Sequence, residues 1–207
     1  MNPFAIVPLV EDLVGSAAGH LAEAFFDDPL EAHALADPGS RLQRARGQFE
    51  WILRYGVRFG SALTTAGNPV GAAVALYPPE PAIVAEKATT LGFATLRTLL
   101  GDEAMLRFAQ VAEYLEHLRL RHVEPDHCYL LTLGVAPAHQ RRGVGSALVS
   151  AVLKRAGDLG LSTFVETAQR IDVPFYERHG FRRVHEGVEP HSGLRLWALV
   201  RPPSIAA

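Results

Sequence analysis

The chain has 207 residues, 48% of them hydrophobic, which is enough for one sizeable core and predicts a single domain over 1–207. A formal charge of −2 and a pI near 6.5 argue against a broad nucleic-acid-binding face. The single Cys128 excludes an intramolecular disulfide framework and fits a reducing cytoplasm, Met1 to Leu9 lacks the basic residues of a signal peptide, and the longest uncharged run, 59–79, is broken by Gly67-Asn68-Pro69, so no membrane span is expected.

Residues 4–9 read as an opening strand and 10–26 as a helix ending before Pro29, with Gly15 and Gly19 weakening it. Asp27-Asp28-Pro29, His33 and Asp37-Pro38-Gly39 read as a polar loop. A second helix over 41–59 places Phe49, Ile52, Leu53 and Tyr55 on one apolar side. Residues 62–66 and 70–77 form a hairpin about Asn68-Pro69 that stops at Pro78-Pro79. Two helical stretches follow, 91–100 and 103–122, the second with Val111, Leu115 and Leu118 on one face.

The apolar run 128–135, closed by Ala136-Pro137, reads as a buried strand. In the helix behind it, Val144, Ala147, Leu148, Ala151 and Val152 recur at helical intervals, Lys154 and Arg155 sit near its end, and Gly157 and Gly160 offer stops. Residues 164–167 make another strand, and 183–188 and 194–200 two final strands about a polar turn at 189–193. Strands interleaved with helices, with hairpins at both ends, predict an α/β fold: a mixed sheet covered by helices on both faces.

Between strand and helix lies Gln140-Arg141-Arg142-Gly143-Val144-Gly145-Ser146. The first N–H groups of a helix lack intrahelical partners and carry partial positive charge, so anions dock there. Glycines at 143 and 145 remove the Cβ atoms that would hold a pyrophosphate away, and Arg141 and Arg142 add charge. A dinucleotide fingerprint fits poorly, because Pro137 to Arg142 intervene after the strand and the third glycine place is Leu148. The Gly-Lys-Ser/Thr of a nucleotide-hydrolase loop is absent. Gly134 within the strand marks a bulge or a close backbone approach. A bulge would splay the strand and leave the polar groups of Leu133 and Val135 free to pair with an amide-bearing ligand. Coenzyme A has both the amides and the pyrophosphate.

Gln140-x-x-Gly143-x-Gly145 after Leu133-Gly134-Val135 resembles the acyl-CoA signature of the GNAT superfamily of N-acyltransferases. The likeness continues through Phe164-Val165-Glu166-Thr167 into Val173-Pro174-Phe175-Tyr176-Glu177-Arg178-His179-Gly180-Phe181, similar to that superfamily's Tyr-x-x-x-Gly-Phe segment. Within the superfamily, 128–181 most resembles the puromycin N-acetyltransferase-like bacterial members. The resemblance implies a three-layer α/β/α fold with a central mixed, mostly antiparallel sheet splayed at the acyl-CoA site. It also implies acetyl-CoA as cosubstrate, no metal, a cofactor unit over 128–181 and acceptor-side helices over 10–59. It assigns Leu133, Gly134, Val135, Gln140, Arg141, Arg142, Gly143, Val144, Gly145 and Ser146 to the cofactor and sets Tyr176 beside its sulfur. Asp172, assigned to the cofactor by the same resemblance, stands where relatives carry Asn, so a contact that needs an amide donor there is not implied. Asp also suits an N-cap for the helix bearing Tyr176.

Acyl transfer to an amine needs a neutral nucleophile, a stabilised carbonyl oxygen and a proton for the departing thiolate. Tyr176 is the favoured acid, a phenol being protonated at neutral pH, with a packing tyrosine as the alternative. Glu166 is the candidate base, with a brace for the 168–172 loop as the alternative. His179 and His127 are further proton acceptors, whereas His117 and His122 fall on different helix faces and no metal site is expected. Cys128 reads as core. Three functional classes stay open: an acetyltransferase acting on a small primary amine or on a peptide amine, a CoA-binding sensor, and, weakest on glycine placement, a nucleotide oxidoreductase. The expected partner is a small-molecule amine, with no nucleic acid and no membrane, and a homodimer is compatible with the sequence.

Overall fold

In the computed structural model, which describes residues 4–203, seven strands form one open sheet in the order β1-β2-β3-β4-β5-β7-β6. The strands are β1 (Ile6–Pro8), β2 (Ser61–Thr65), β3 (Gly71–Leu76), β4 (His127–Val135), β5 (Ser162–Thr167), β6 (Arg182–Val188) and β7 (Arg195–Arg201). Every pairing is antiparallel except β4 with β5. The alternation of side chains along β3 divides the core. Ala72, Val74 and Leu76 pack with α1 (Glu11–Ala24), α3 (Pro38–Phe59) and α5 (Phe93–His122), whereas Ala73 and Ala75 pack with α6 (Val144–Asp158) and α7 (Val173–Arg178). The result is the expected mixed, mostly antiparallel sheet between two helical layers. Among the described residues, no helix is long and apolar enough to cross a membrane.

Two helix starts lie where the sequence reads as polar loop. Asp28 caps α2 (Pro29–Ala34), its Oδ1 accepting from the N–H groups of Leu30 and Glu31, and Pro29 takes the first helical position. Asp37 caps α3 in the same way, accepting from the Gly39 N–H and the Ser40 hydroxyl ahead of Pro38. In each Asp-Pro pair the carboxylate satisfies an orphan donor and the proline supplies a preset φ. α3 therefore begins three residues before the expected 41. The short α4 (Ala85–Thr90) precedes α5, which breaks at Gly101, where φ is 74°. That break matches the two helical stretches expected at 91–100 and 103–122.

The irregularity in β4 does not sit at Gly134. Val74 pairs with Thr132 and Ala75 with Leu130, so the bulge is at Leu131. It reverses the side-chain parity: Cys128 and Leu130 face the α6 layer before it, and Leu133 and Val135 after it. Gly134 pairs regularly with Ala72. Its lack of a side chain serves close packing, because a Cβ there would lie 2.5 Å from Leu21 Cδ2 and 2.7 Å from Phe25 Cε2. Gly134 thus lets α1 rest on the strand that carries the site.

Candidate active site

β4 and β5 pair only between His127–Tyr129 and Ser162–Phe164 and then diverge, β5 continuing to Thr167 against β7. Beyond the split, β4 stays bonded to β3 alone. The Ala136 N–H donates to Val70 O, and antiparallel ladders alternate, so Gly134 and Thr132 turn their polar groups to β3 while Leu133 and Val135 turn theirs to the open edge. The side-chain amide of Gln140 donates to Val135 O at 3.2 Å and holds the following loop to the end of this strand.

After a 3-10 turn at Pro137–His139, the loop folds tightly enough to place Arg141 at a φ of 57°, a left-handed conformation that costs a non-glycine residue on the order of 1 kcal/mol. Gly143 follows at φ 92° and caps α6. Among the described residues, no acceptor within the chain meets the N–H groups of Val144, Gly145 and Ser146. A Cβ on Gly143 would meet nothing within 4 Å, and one on Gly145 would come no closer than 3.6 Å to Phe175. The chain's own packing does not require glycine at 145, so the cleared space lies where an anion would sit over the helix start. Arg141 and Arg142 are exposed and, among the described residues, paired with no carboxylate. Loop and open edge together fit the pyrophosphate and amides of coenzyme A.

The split opens into a cavity of about 470 Å³ lined by α2, α3, α5, β4, β5 and the start of α7. Its wall is mainly apolar, with Phe25, Phe49, Trp51, Leu96, Leu131 and Leu133 among the lining residues, and into it are set Asp28, Glu31, Glu166, Asp172 and Tyr176. Glu166 Oε1 accepts from the Tyr129 hydroxyl, while Oε2 is buried without a partner. The residue is only half-buried by surface area because part of its side chain borders the cavity. Desolvation there pushes its carboxyl up to about 7, against weaker lowering by the Tyr129 hydrogen bond and by Arg119. Such a group gains and loses its proton near neutrality.

Tyr176 is 6% exposed; it packs against Phe175 and Phe181 and also lines the cavity. Burial first, then the nearby Asp172 and Glu166 carboxylates, hold its phenol well above the ordinary value, so it keeps its proton. Asp172 precedes α7 but makes no capping hydrogen bond. It accepts instead from the Thr167 hydroxyl at 3.0 Å, and burial, with Asp28 contributing, raises its carboxyl. His127 is sequestered: Nδ1 bonds the Glu124 and Pro125 carbonyls, Nε2 meets the Arg119 guanidinium at 3.2 Å, and desolvation lowers its pKa. His179 bonds the Phe175 carbonyl outside the cavity lining. Cys128 is fully buried core. Among the described residues, no group of three or more His, Cys, Asp or Glu is placed to hold a metal ion.

Residues not singled out from sequence complete the site. Arg119, 6% exposed, lies 5.3 Å from the centroid of the Tyr129 ring and ties that ring to His127 and Glu116. Glu31 from α2 and Gln48 and Trp51 from α3 also line the cavity. Gln169 joins the two sides by donating to Asp28 Oδ2 at 3.1 Å.

Residues 22–181 match the acetyltransferase (GNAT) family. An uncharacterised N-acetyltransferase, YjcF of Bacillus subtilis (strain 168), is 42% identical over 52 residues, which are 25% of this chain and 37% of that protein, well short of its full length. In structure, the chain is similar to a histone acetyltransferase HPA2-related acetyltransferase of Corynebacterium glutamicum, with a TM-score of 0.69, 22% identity and 100% and 99% of the two chains covered. It is also similar to the C-terminal condensation domain of Ebony in complex with beta-alanyl-dopamine, with a TM-score of 0.71, 11% identity and 98% and 100% covered. With most of the sequence matched, and with a sheet split after Tyr129 beside a glycine loop at a helix start, this chain belongs to the GNAT family of acetyltransferases, which use acetyl-CoA as cosubstrate.

Proposed function

We propose that this acetyltransferase transfers an acetyl group to the primary amine of a small molecule, with Glu166 as general base and Tyr176 as general acid. The observation that carries this reading is the cavity, in which a carboxyl near pKa 7 and a protonated phenol share an apolar chamber of about 470 Å³. Acetyl-CoA, when bound, supplies the acetyl group as an activated thioester. On this reading the N–H groups of Val144, Gly145 and Ser146, with Arg141 and Arg142 beside them, hold its pyrophosphate. The open edge at Leu133 and Val135 takes the pantetheine amides, while Gly134 and Gln140 shape that edge and the loop.

Glu166 Oε2 accepts the proton of the incoming ammonium, a transfer eased by the raised basicity of its carboxylate. Tyr129 orients that carboxylate through Oε1. Tyr176 Oη holds the proton that the departing sulfur takes up. Asp172, raised in pKa, donates when protonated as the relatives' Asn amide would. Aromatic rings in the wall favour an acceptor with an apolar body, and the resemblance to puromycin N-acetyltransferase-like members nominates an aromatic aminonucleoside among such amines. The Ebony neighbour, whose ligand is an aromatic amine conjugate, shares only the fold and fits the same class.

The test is thiol release from acetyl-CoA with puromycin, arylalkylamines, polyamines, free amino acids and a lysine-rich peptide offered in competition. Small amines should be preferred in kcat/KM. A large preference for the peptide would overturn the small-molecule reading, and acetyl-CoA binding without thiol release to any amine would make the protein a sensor.

A further inference from the structure

The wall formed by α2 and α3 contains polar atoms that acetyl transfer does not use. Glu31 is 4% exposed; its Oε1 accepts from the Gln48 side-chain amide at 2.8 Å, and its Oε2 has no partner. Gln48 Oε1 and Trp51 Nε1 are likewise buried without partners, Trp51 being 7% exposed, and all three side chains line the cavity. Leaving a buried polar atom unpaired costs about 1–3 kcal/mol, so two orphaned acceptors side by side, Glu31 Oε2 and Gln48 Oε1, point to a donor group that arrives from outside.

The surrounding charges define that group. Asp28 stands one turn before Glu31 but is committed: Oδ1 caps α2 and Oδ2 takes the Gln169 amide. It contributes negative potential and no free acceptor. Desolvation first, then Asp28, pushes the Glu31 carboxyl up to about 8. Arg41 spends its guanidinium on the carbonyls of Leu35, Phe26 and Ala36 and lowers Glu31 only weakly. The wall thus offers two free acceptors of the carboxyl and amide type and an aromatic ring, and a cation seated there would draw the proton off the Glu31 carboxyl and pair with the carboxylate.

Building on the proposed small-amine activity, we propose that the acceptor carries a second cationic group, an ammonium or guanidinium, seated on Glu31 and Gln48 against Trp51. The substrate is then a diamine or guanidino-amine with an apolar spacer, one end at Glu166 and the other at the α2–α3 wall. The charge-assisted bonds and the face of Trp51 favour a cation over a neutral tail.

The experiment compares matched pairs, cadaverine against pentylamine and putrescine against butylamine, in acetyl-CoA-dependent thiol release by the wild-type protein and by Glu31→Gln. The wild type should prefer at least one diamine over its monoamine by about 10-fold or more in kcat/KM, mainly through KM. Glu31→Gln should bring that ratio to about 1, and because both substrates meet the same folded fraction, the ratio does not report general loss of protein. Equal rates for both pairs in the wild type, or an unchanged ratio in the variant, would overturn the second-cation site while leaving the amine acetyltransferase reading intact. Acetylation of a lysine-rich peptide alone would overturn both. Should Glu31→Gln fail to fold, the wild-type ratios and the same ratio in Gln48→Leu decide.

Discussion

The cofactor-side loop and the acceptor-side wall bind with different parts of the chain. The loop presents backbone N–H groups at residues 144–146 that no acceptor among the described residues meets, with space over them cleared at Gly143 and Gly145. The wall presents the Glu31 carboxyl and the Gln48 side-chain amide among aromatic rings. Backbone recognition is independent of side-chain identity except where a side chain must be missing. Side-chain recognition is rewritten by single substitutions. One fold can therefore keep its cofactor while changing its acceptor.

The comparison breaks most sharply at Gly145. Gly145→Asp places a carboxylate over the helix start and should weaken acetyl-CoA binding by at least about 1000-fold. Because a Cβ there meets only ordinary contacts with Phe175 and Val135, the variant should still fold. Calorimetry showing wild-type affinity would remove the loop from the site. A change at the cavity floor acts differently: Glu166→Gln should lower kcat/KM about 100-fold with cofactor affinity kept. In the wild type, kcat/KM should rise with pH up to about 7 as this carboxyl loses its proton, and the Gln variant should lack that limb. A pH profile unaltered by the substitution would show that another group is the base.

Tyr176→Phe should cost about 10- to 100-fold in kcat, since only the leaving-group proton is lost and the ring still fills its place between Phe175 and Phe181. Equal turnover would make Tyr176 a packing residue alone. The smallest effect is on stability. Glu31 and Glu166 are raised from an ordinary 4.5 to about 8 and about 7, so the folded state holds protons there that the unfolded state has released. Their contribution is fully present below about pH 4.5 and is lost as pH rises through 7 and 8. Glu31→Gln should therefore raise Tm at pH 8 relative to wild type by about 2–4 °C, corresponding to about 1 kcal/mol, and change it less at pH 5. A difference that does not vary with pH would place the Glu31 proton elsewhere.

Much of the cofactor unit is legible in the sequence because its signals are local. A strand-forming run, a proline, two glycines and an amphipathic repeat lie within one short stretch, and each acts through its own backbone or nearest turn. Gly134 shows how far such reading goes. Its need for a missing side chain is visible in the chain, but whether a bulge or a packed helix imposes it depends on where α1 lands, and Leu21 and Phe25 supply the answer. The two Asp-Pro pairs carried a readable helix-start signal that their polar neighbours masked.

The acceptor wall lies beyond local reading. Gln169 reaches Asp28 across 141 residues, Tyr129 reaches Glu166 across 37, and Gln48 reaches Glu31 across 17. A carboxyl's pKa follows from the water removed around it, and that loss is set by helices brought together from distant parts of the chain. Composition and spacing specify which groups can form hydrogen bonds and which backbone positions must be bare. Burial, orphaned acceptors and the meeting of Glu31 with Trp51 in one chamber exist only once the layers have packed, because desolvation is a property of the assembled interior.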